Sequence, residues 1–290
     1  MNDPDLCKPN LSRLTEHLRR VTGERNFQTS PSSLIQTQSY LQEQLESYGF
    51  EVHREPFFFS GQTFSNLVAR LALNPNRPRL LVGAHFDSVS GSPGADDNAS
   101  GVAAFLETAR LYAQGRTEKS AVEFVAFNLE EHGMIGSQAY AQQLKKERVP
   151  LSGMLSLEMV GYASKDKGSQ KMPFFLKPFY PDAGDFIGLV ANRASAEFLK
   201  KAEKIFRSVE MLPVETLVLP ANGWIFPAAR LSDHSPFWDQ NYPALLVTDT
   251  SFYRNPNYHV ESDTVETLDL EFLANVTEAV ARTVMEFGRF

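Results

Sequence analysis

Cysteine is almost absent from this sequence: Cys7 is the only one, so no intrachain disulfide can form. The sequence therefore carries no disulfide evidence for an oxidising compartment. Cys7 lies in a polar N-terminal stretch and is not read as a nucleophile. Basic charge is also scarce. Lys and Arg number 28 against 35 Asp and Glu, a formal net charge of -7. A nucleic-acid binder needs a basic footprint, so no nucleic-acid partner is expected. Attraction to an anionic membrane surface is not expected either. No segment approaches the roughly 18 apolar residues of a membrane span. The opening MNDPDLCKPN lacks the basic flank and apolar run of a signal peptide. A cytoplasmic protein with no membrane partner is the default expectation. Asn-x-Ser/Thr matches at Asn10, Asn98 and Asn275 would matter only in a secreted eukaryotic protein.

What is present is the composition of an ordinary globular protein, with 42% apolar and 22% charged residues in 290. One domain over 1–290 is expected, without repeat, linker or low-complexity tract. Leu11, Leu14, Leu18 and Val21 recur at helical spacing, predicting a helix over 10–22. Ser30-Pro31 offers a cap and a first-turn proline for a second helix that runs to Tyr48 and stops at Gly49. Strands are predicted over 50–59 and 66–73, then over 79–84, 121–128, 151–159 and 243–248. Helices fall over 98–113, 137–147, 195–209 and 269–287. Buried strands alternating with helices predict an α/β fold: a mixed, mostly parallel central sheet covered by helices on both faces. Residues 161–227 are less regular and read as a lid-like region of strand, helix and loops overhanging the sheet.

Unusual chemistry follows the apolar strands. The strand at 79–84 runs into His85, and Asp87 comes two residues later. The strand at 121–128 runs into Glu130 and Glu131, and the one at 151–157 into Glu158. The strand at 243–248 leads towards His259. A further segment, GADDNASG, holds Asp96 and Asp97 just before a helix. In open α/β sheets ligands bind beyond the carboxyl ends of the strands. Each piece has a bland reading: a hydrogen-bonded core histidine, a solvated Glu-Glu turn, an N-cap aspartate. Their conjunction is harder to explain that way. Several carboxylates at one sheet mouth would repel one another and resist burial. Bound divalent cations remove both problems. Two imidazoles, three carboxylates and no thiolate suit Zn²⁺, Mn²⁺ or Co²⁺ rather than Mg²⁺ or Ca²⁺. Of two adjacent glutamates, one can bind metal while the other moves protons.

The ordered set GAHFDS, PGADDNASG, FNLEEHGMIGS, SLEMVGY, RLSDHSPFW and YHVESDTVETLD resembles metallopeptidase family 28, over about residues 30–290. That family contains zinc aminopeptidases, glutamate carboxypeptidases and glutaminyl cyclases, on a zinc-exopeptidase (phosphorylase/hydrolase-like) fold. The resemblance implies two zinc ions per chain. His85 and Glu158 would bind one, Glu131 and His259 the other, and Asp97 would bridge them. Glu130 would be the unligated base, and Asp87 would orient His85. It also implies a cis peptide at Asp97–Asn98 and a place for Asp233 near the site, where a helix cap is the plainer reading. Many of the aminopeptidases have Asp where this chain has Glu158, which puts the occupancy of that metal in question.

The activity implied is exopeptidase action on a peptide substrate. A compact chain like the bacterial enzymes favours an aminopeptidase. The alternatives are a single-zinc glutaminyl cyclase and a non-catalytic binding protein on the same fold. Nothing in the sequence specifies an oligomeric state. Among the aromatics, Phe58 should face away from Phe57 and Phe59. Phe174, Phe175, Phe179 and Tyr180 read as core ahead of substrate pocket, and Tyr253 or Tyr258 could face a substrate.

Overall fold

A computed structural model describes residues 4–74, 76–115 and 121–288. The first helix, α1 (Leu11–Val21), starts at Asn10, whose side chain accepts a hydrogen bond from the Arg13 N–H. The second, α2 (Pro31–Ser47), has its proline in the first turn as expected, but Ser30 does not cap it. The Ser30 hydroxyl instead accepts from the Asn26 N–H at 2.8 Å, closing the turn before the helix. Gly49, at φ +89°, ends the helix in the left-handed region that glycine tolerates.

The chain then builds an eight-stranded mixed sheet among the described residues. β1 (Glu51–Phe59) and β2 (Gln62–Arg70) form an antiparallel hairpin at one edge, so the second strand begins earlier than its apolar stretch predicts. There follow β3 (Arg79–His85), β4 (Val122–Phe127), β5 (Leu151–Glu158), β6 (Ile187–Asn192), β7 (Val214–Leu219) and β8 (Leu245–Thr248). Their order across the sheet is β1-β2-β4-β3-β5-β8-β6-β7. The central run β4-β3-β5-β8 is wholly parallel. The region 161–227, expected to overhang the sheet, supplies two of its strands: β6 pairs antiparallel with β8, and β7 closes the second edge.

Both faces of the sheet are covered, which is why the central strands are buried at nearly every position. Along β3, Leu80, Val82 and Ala84 join a cluster that includes α1, α2, α3 (Gly101–Gly115), α5 (Ala196–Phe206) and α7 (Leu270–Gly288). Leu81 points the other way, with Tyr140 and Leu144 of α4 (Ile135–Lys146) and Phe237 and Trp238 of α6 (His234–Asp239). Phe58 is exposed and Phe57 buried, as strand alternation requires. Phe174, Phe175 and Phe179 are exposed, against the expectation of core packing. They belong to turns outside any strand or helix, so no amphipathic face carries them inward. No helix among the described residues is long and apolar enough to cross a membrane.

Candidate metal centre

Parallel pairing places the carboxyl ends of β4, β3, β5 and β8 on one edge of the sheet. His85 is the last residue of β3 and Glu158 the last of β5. Glu130 and Glu131 lie three and four residues beyond the end of β4, after Leu129 turns the chain at φ +59°. His259 comes from the loop after β8, and Asp97 from the segment before α3. All of the predicted site residues converge at this edge.

Asp97 stands between the two histidines. Its Oδ1 is 3.3 Å from His85 Nε2 and its Oδ2 is 3.0 Å from His259 Nε2. Glu158 comes within 3.3 Å of His85 Nε2, and Glu131 within 3.3 Å of His259 Nε2. Two groups of donor atoms result, His85–Asp97–Glu158 and Asp97–Glu131–His259, each with its atoms within 4.8 Å of one another. Each could hold a metal ion, and they share Asp97. A third grouping, His85–Glu130–Glu131, overlaps both, and Glu130 Oε2 is 4.0 Å from His85 Nε2.

The electrostatics agree with a site built around positive charge. Burial pushes Glu130 and Glu158 above the usual carboxylate range and lifts Glu131 to about 7. Burial opposes charge on His259, yet Asp97 and Glu131 raise it to about 10. Asp97 is held low despite its burial by the two histidines it touches. Protons here balance a cluster of acids, and a divalent cation would replace them. Glu131 Oε1 is buried without a hydrogen bond among the described residues, and His259 Nε2 faces only the carboxylates of Asp97 and Glu131, which suits atoms meant for a metal.

The supports of these side chains were only partly expected. Asp87, 1% exposed, accepts from the N–H groups of Glu130 at 3.1 Å and Glu131 at 3.2 Å. Its Oδ1 is also 3.5 Å from His85 Nδ1. Asp97–Asn98 is a cis peptide, as the family resemblance implies. The Asn98 side chain donates to Leu157 O and accepts from Met159 N–H, bracketing Glu158 from both sides. That residue is wholly buried, so its match to the glycosylation pattern carries no glycan site. Asp233 is buried at the start of α6 and makes no cap bond there, so the plainer reading of it as a helix cap is not what the structure shows. Burial lifts its carboxyl to about 7, and His85, Glu158 and Asp87 are among the charges it feels.

Two supports were missed. Ser232 donates to Glu158 Oε2 at 2.9 Å. Asp263 accepts from the Asp96 N–H at 2.9 Å and the Asp97 N–H at 3.2 Å. Both lie inside motifs quoted above, Asp263 four residues from the ligand His259, and that proximity was the available signal.

Beside the acids opens a cleft with a volume of about 120 Å³. Gly188, Leu189 and Val190 of β6, Thr216 and Leu217 of β7 and Leu246 of β8 form one wall. Tyr180, Phe226, Tyr253 and Tyr258 add aromatic surface, so both candidate tyrosines border it. Neither Lys nor Arg is among the residues lining the cleft.

Comparison with known proteins agrees with this architecture. Uncharacterized protein YfbL of Escherichia coli K12 is 35% identical over 284 residues, spanning 93% of this chain and 85% of that protein. A probable zinc metalloprotease of Pyrenophora teres f. teres is 28% identical over 303 residues. That alignment covers 95% of this chain and 59% of the fungal protein, so the chain spans little more than half of it. Among solved structures, the LapA aminopeptidase of Legionella pneumophila superposes with a TM-score of 0.76 at 21% identity, over 96% of this chain and 72% of that one. A glutaminyl cyclase of Porphyromonas gingivalis gives 0.67 at 19%, over 98% of both chains. At such identities these two likenesses speak to the fold alone. The model of peptidase family M28 matches residues 66–284, the stretch that supplies every side chain of this centre, and the chain belongs to that family.

Proposed function

We propose that this protein is an aminopeptidase that binds two zinc ions, with Glu130 as its general base. The observation that carries the reading is the position of Asp97, one oxygen against each histidine, joining two donor groups into one site. His85 and Glu158 would hold one ion, Glu131 and His259 the other, and Asp97 both. Imidazole and carboxylate donors without thiolate suit zinc, with Co²⁺ or Mn²⁺ as substitutes. Such a pair supplies the positive charge that acidifies water and polarises a peptide carbonyl.

The chain's own residues do the rest. Glu130 belongs to neither of the groups joined at Asp97, and its buried carboxyl has a raised affinity for protons. It takes the proton of the attacking water and returns it to the leaving amine. Asp87 holds the backbone of the Glu130–Glu131 loop in place while this happens. The cleft favours a free amino terminus over a carboxyl terminus. A substrate α-ammonium finds carboxylates at the site, whereas an α-carboxylate would find no Lys or Arg among the lining residues.

The test begins with metal content and activity on aminoacyl amides. About two zinc equivalents, with turnover that N-acylation of the substrate abolishes, are expected. Glu130→Gln should keep both ions and lose roughly 10²- to 10⁴-fold in kcat. Near-normal turnover by that variant removes Glu130 from its role. Release of ammonia from an N-terminal Gln peptide without cleavage would instead establish the cyclase chemistry.

A further inference from the structure

We propose that Arg25, Asn26 and Phe27 form a positioning buttress for the metal centre, centred on the Arg25 guanidinium. The proposal deepens the reading of the site as a zinc centre and rests on it. Arg25 has no exposed surface, which is rare for arginine unless a carboxylate pairs with it. Its side-chain hydrogen bonds go instead to five backbone carbonyls. Two of these, Val21 and Gly23, belong to the N-terminal segment itself, at 2.8 and 2.5 Å. The other three belong to the loops of the site. Phe86 O, between His85 and Asp87, accepts at 2.8 Å. Pro93 O and Gly94 O, on the run leading into Asp97, accept at 2.9 and 3.0 Å.

The neighbours of Arg25 extend the grip. Its N–H donates to Ser88 Oγ, and the Ser88 N–H donates back to Arg25 O. Asn26 Nδ2 donates to Ser88 O at 3.2 Å. The Phe27 ring packs edge-on against His132, centroids 4.6 Å apart, and His132 directly follows Glu131. Three consecutive residues thus reach the loops of His85 and Asp87, of Asp97, and of Glu130 and Glu131. The guanidinium spreads its donors over three nitrogens, all three of them used here, whereas the three donors of a lysine ammonium radiate from one. Gly94 allows the approach: a Cβ there would lie 2.7 Å from an Arg25 guanidinium nitrogen. The buttress also comes from outside residues 66–284, the part that matches the family.

Arg25→Met keeps the apolar stem and removes the donors, and Arg25→Lys keeps the charge. Leu41→Ala, in the buried face of α2, is the control for simple destabilisation. Each full-length variant is measured for zinc dissociation constant by chelator competition, for thermal midpoint, and, metal-free, for amide hydrogen exchange around residues 87–88 and 94–97. Arg25→Met should bind zinc about 10- to 100-fold more weakly and exchange faster in those loops. Arg25→Lys should recover little of either. Leu41→Ala should melt lower with zinc affinity unchanged. Zinc binding by Arg25→Met within twofold of the wild type overturns the proposal, as does an equal loss in Leu41→Ala. If Arg25→Met does not fold, Asn26→Ala combined with Phe27→Leu replaces it, and unchanged zinc affinity there is equally fatal. Wild-type protein that binds no zinc would remove the metal reading itself, and loop exchange in the metal-free variants would then decide the buttress alone.

Discussion

Replacing Asp87 by Asn alters one atom of the side chain and should disable the site. In the native arrangement the two carboxylate oxygens each accept one backbone N–H, from Glu130 at 3.1 Å and Glu131 at 3.2 Å. An asparagine has the same shape but only one acceptor oxygen. Whichever way it turns, its NH₂ group faces one of those N–H donors. Losing one hydrogen bond to a charged acceptor, with its part-buried donor left unsatisfied, costs about 1.5–3 kcal/mol. The loop can relax by moving away, but that movement takes the Glu130 and Glu131 carboxylates with it. Asp87 Oδ1 also lies 3.5 Å from His85 Nδ1, but the hydrogen bond of that nitrogen goes to the Asp87 backbone oxygen at 3.2 Å, so the imidazole keeps this support.

If about 2–3 kcal/mol of the loss reaches the transition state, kcat/KM falls about 30- to 150-fold. The fall should appear mainly in kcat, because the misplaced group is a proton carrier rather than a substrate contact. Steady-state kinetics on a leucyl amide, at zinc concentrations raised until the rate is constant, measure it. Zinc titration of the same variant should show affinity lowered about 10- to 100-fold. A folded Asp87→Asn protein with kcat/KM within threefold of the wild type would refute the argument. The two N–H bonds would then be incidental to the placement of Glu130.

Two further substitutions test neighbouring supports. Ser232→Ala removes the 2.9 Å donor to Glu158 Oε2; the loss of about 1.5–3 kcal/mol should weaken only one of two zinc equivalents, so calorimetric titration should change from one phase towards two. Gly94→Ala forces a side chain onto a residue at φ +61°, with its Cβ 2.4 Å from Asp97 O; backbone cannot yield as a side chain would, so a loss of about 3 kcal/mol or more and a melting point lower by roughly 6–12 °C are expected by calorimetry.

Legibility differed between the groups that carry the chemistry and those that hold them. His85 and Glu158 are the final residues of short apolar strands, and a histidine or glutamate in that place is conspicuous against its neighbours. Parallel pairing of β4, β3, β5 and β8 then makes those ends neighbours, so the prediction of a parallel core was also a prediction of convergence. The sheet edge formed by β6 and β7 was not legible in the same way. Each is six residues long, set among Gly, Pro and charged residues, and too short for its period to stand out. Phe174, Phe175 and Phe179 misled for a related reason: residue type predicts burial only when an element carries the side chain inward.

The supporting groups were hidden by a different cause. Asp263 reaches the Asp96 N–H across 167 positions of sequence, and Arg25 reaches Gly94 O across 69. Their partners are backbone N–H and C=O groups, which every non-proline residue possesses, so no residue type at the receiving end announces the contact. A metal ligand must be one of a few residue types, and that scarcity makes a set of ligands recognisable. A backbone contact accepts almost any sequence on its far side. The same asymmetry separates the two kinds of residue experimentally. Ligand substitutions should abolish binding of the ion they hold, whereas changes at Arg25, Asp87 or Ser232 should grade it, because they move donors by fractions of an ångström without removing them.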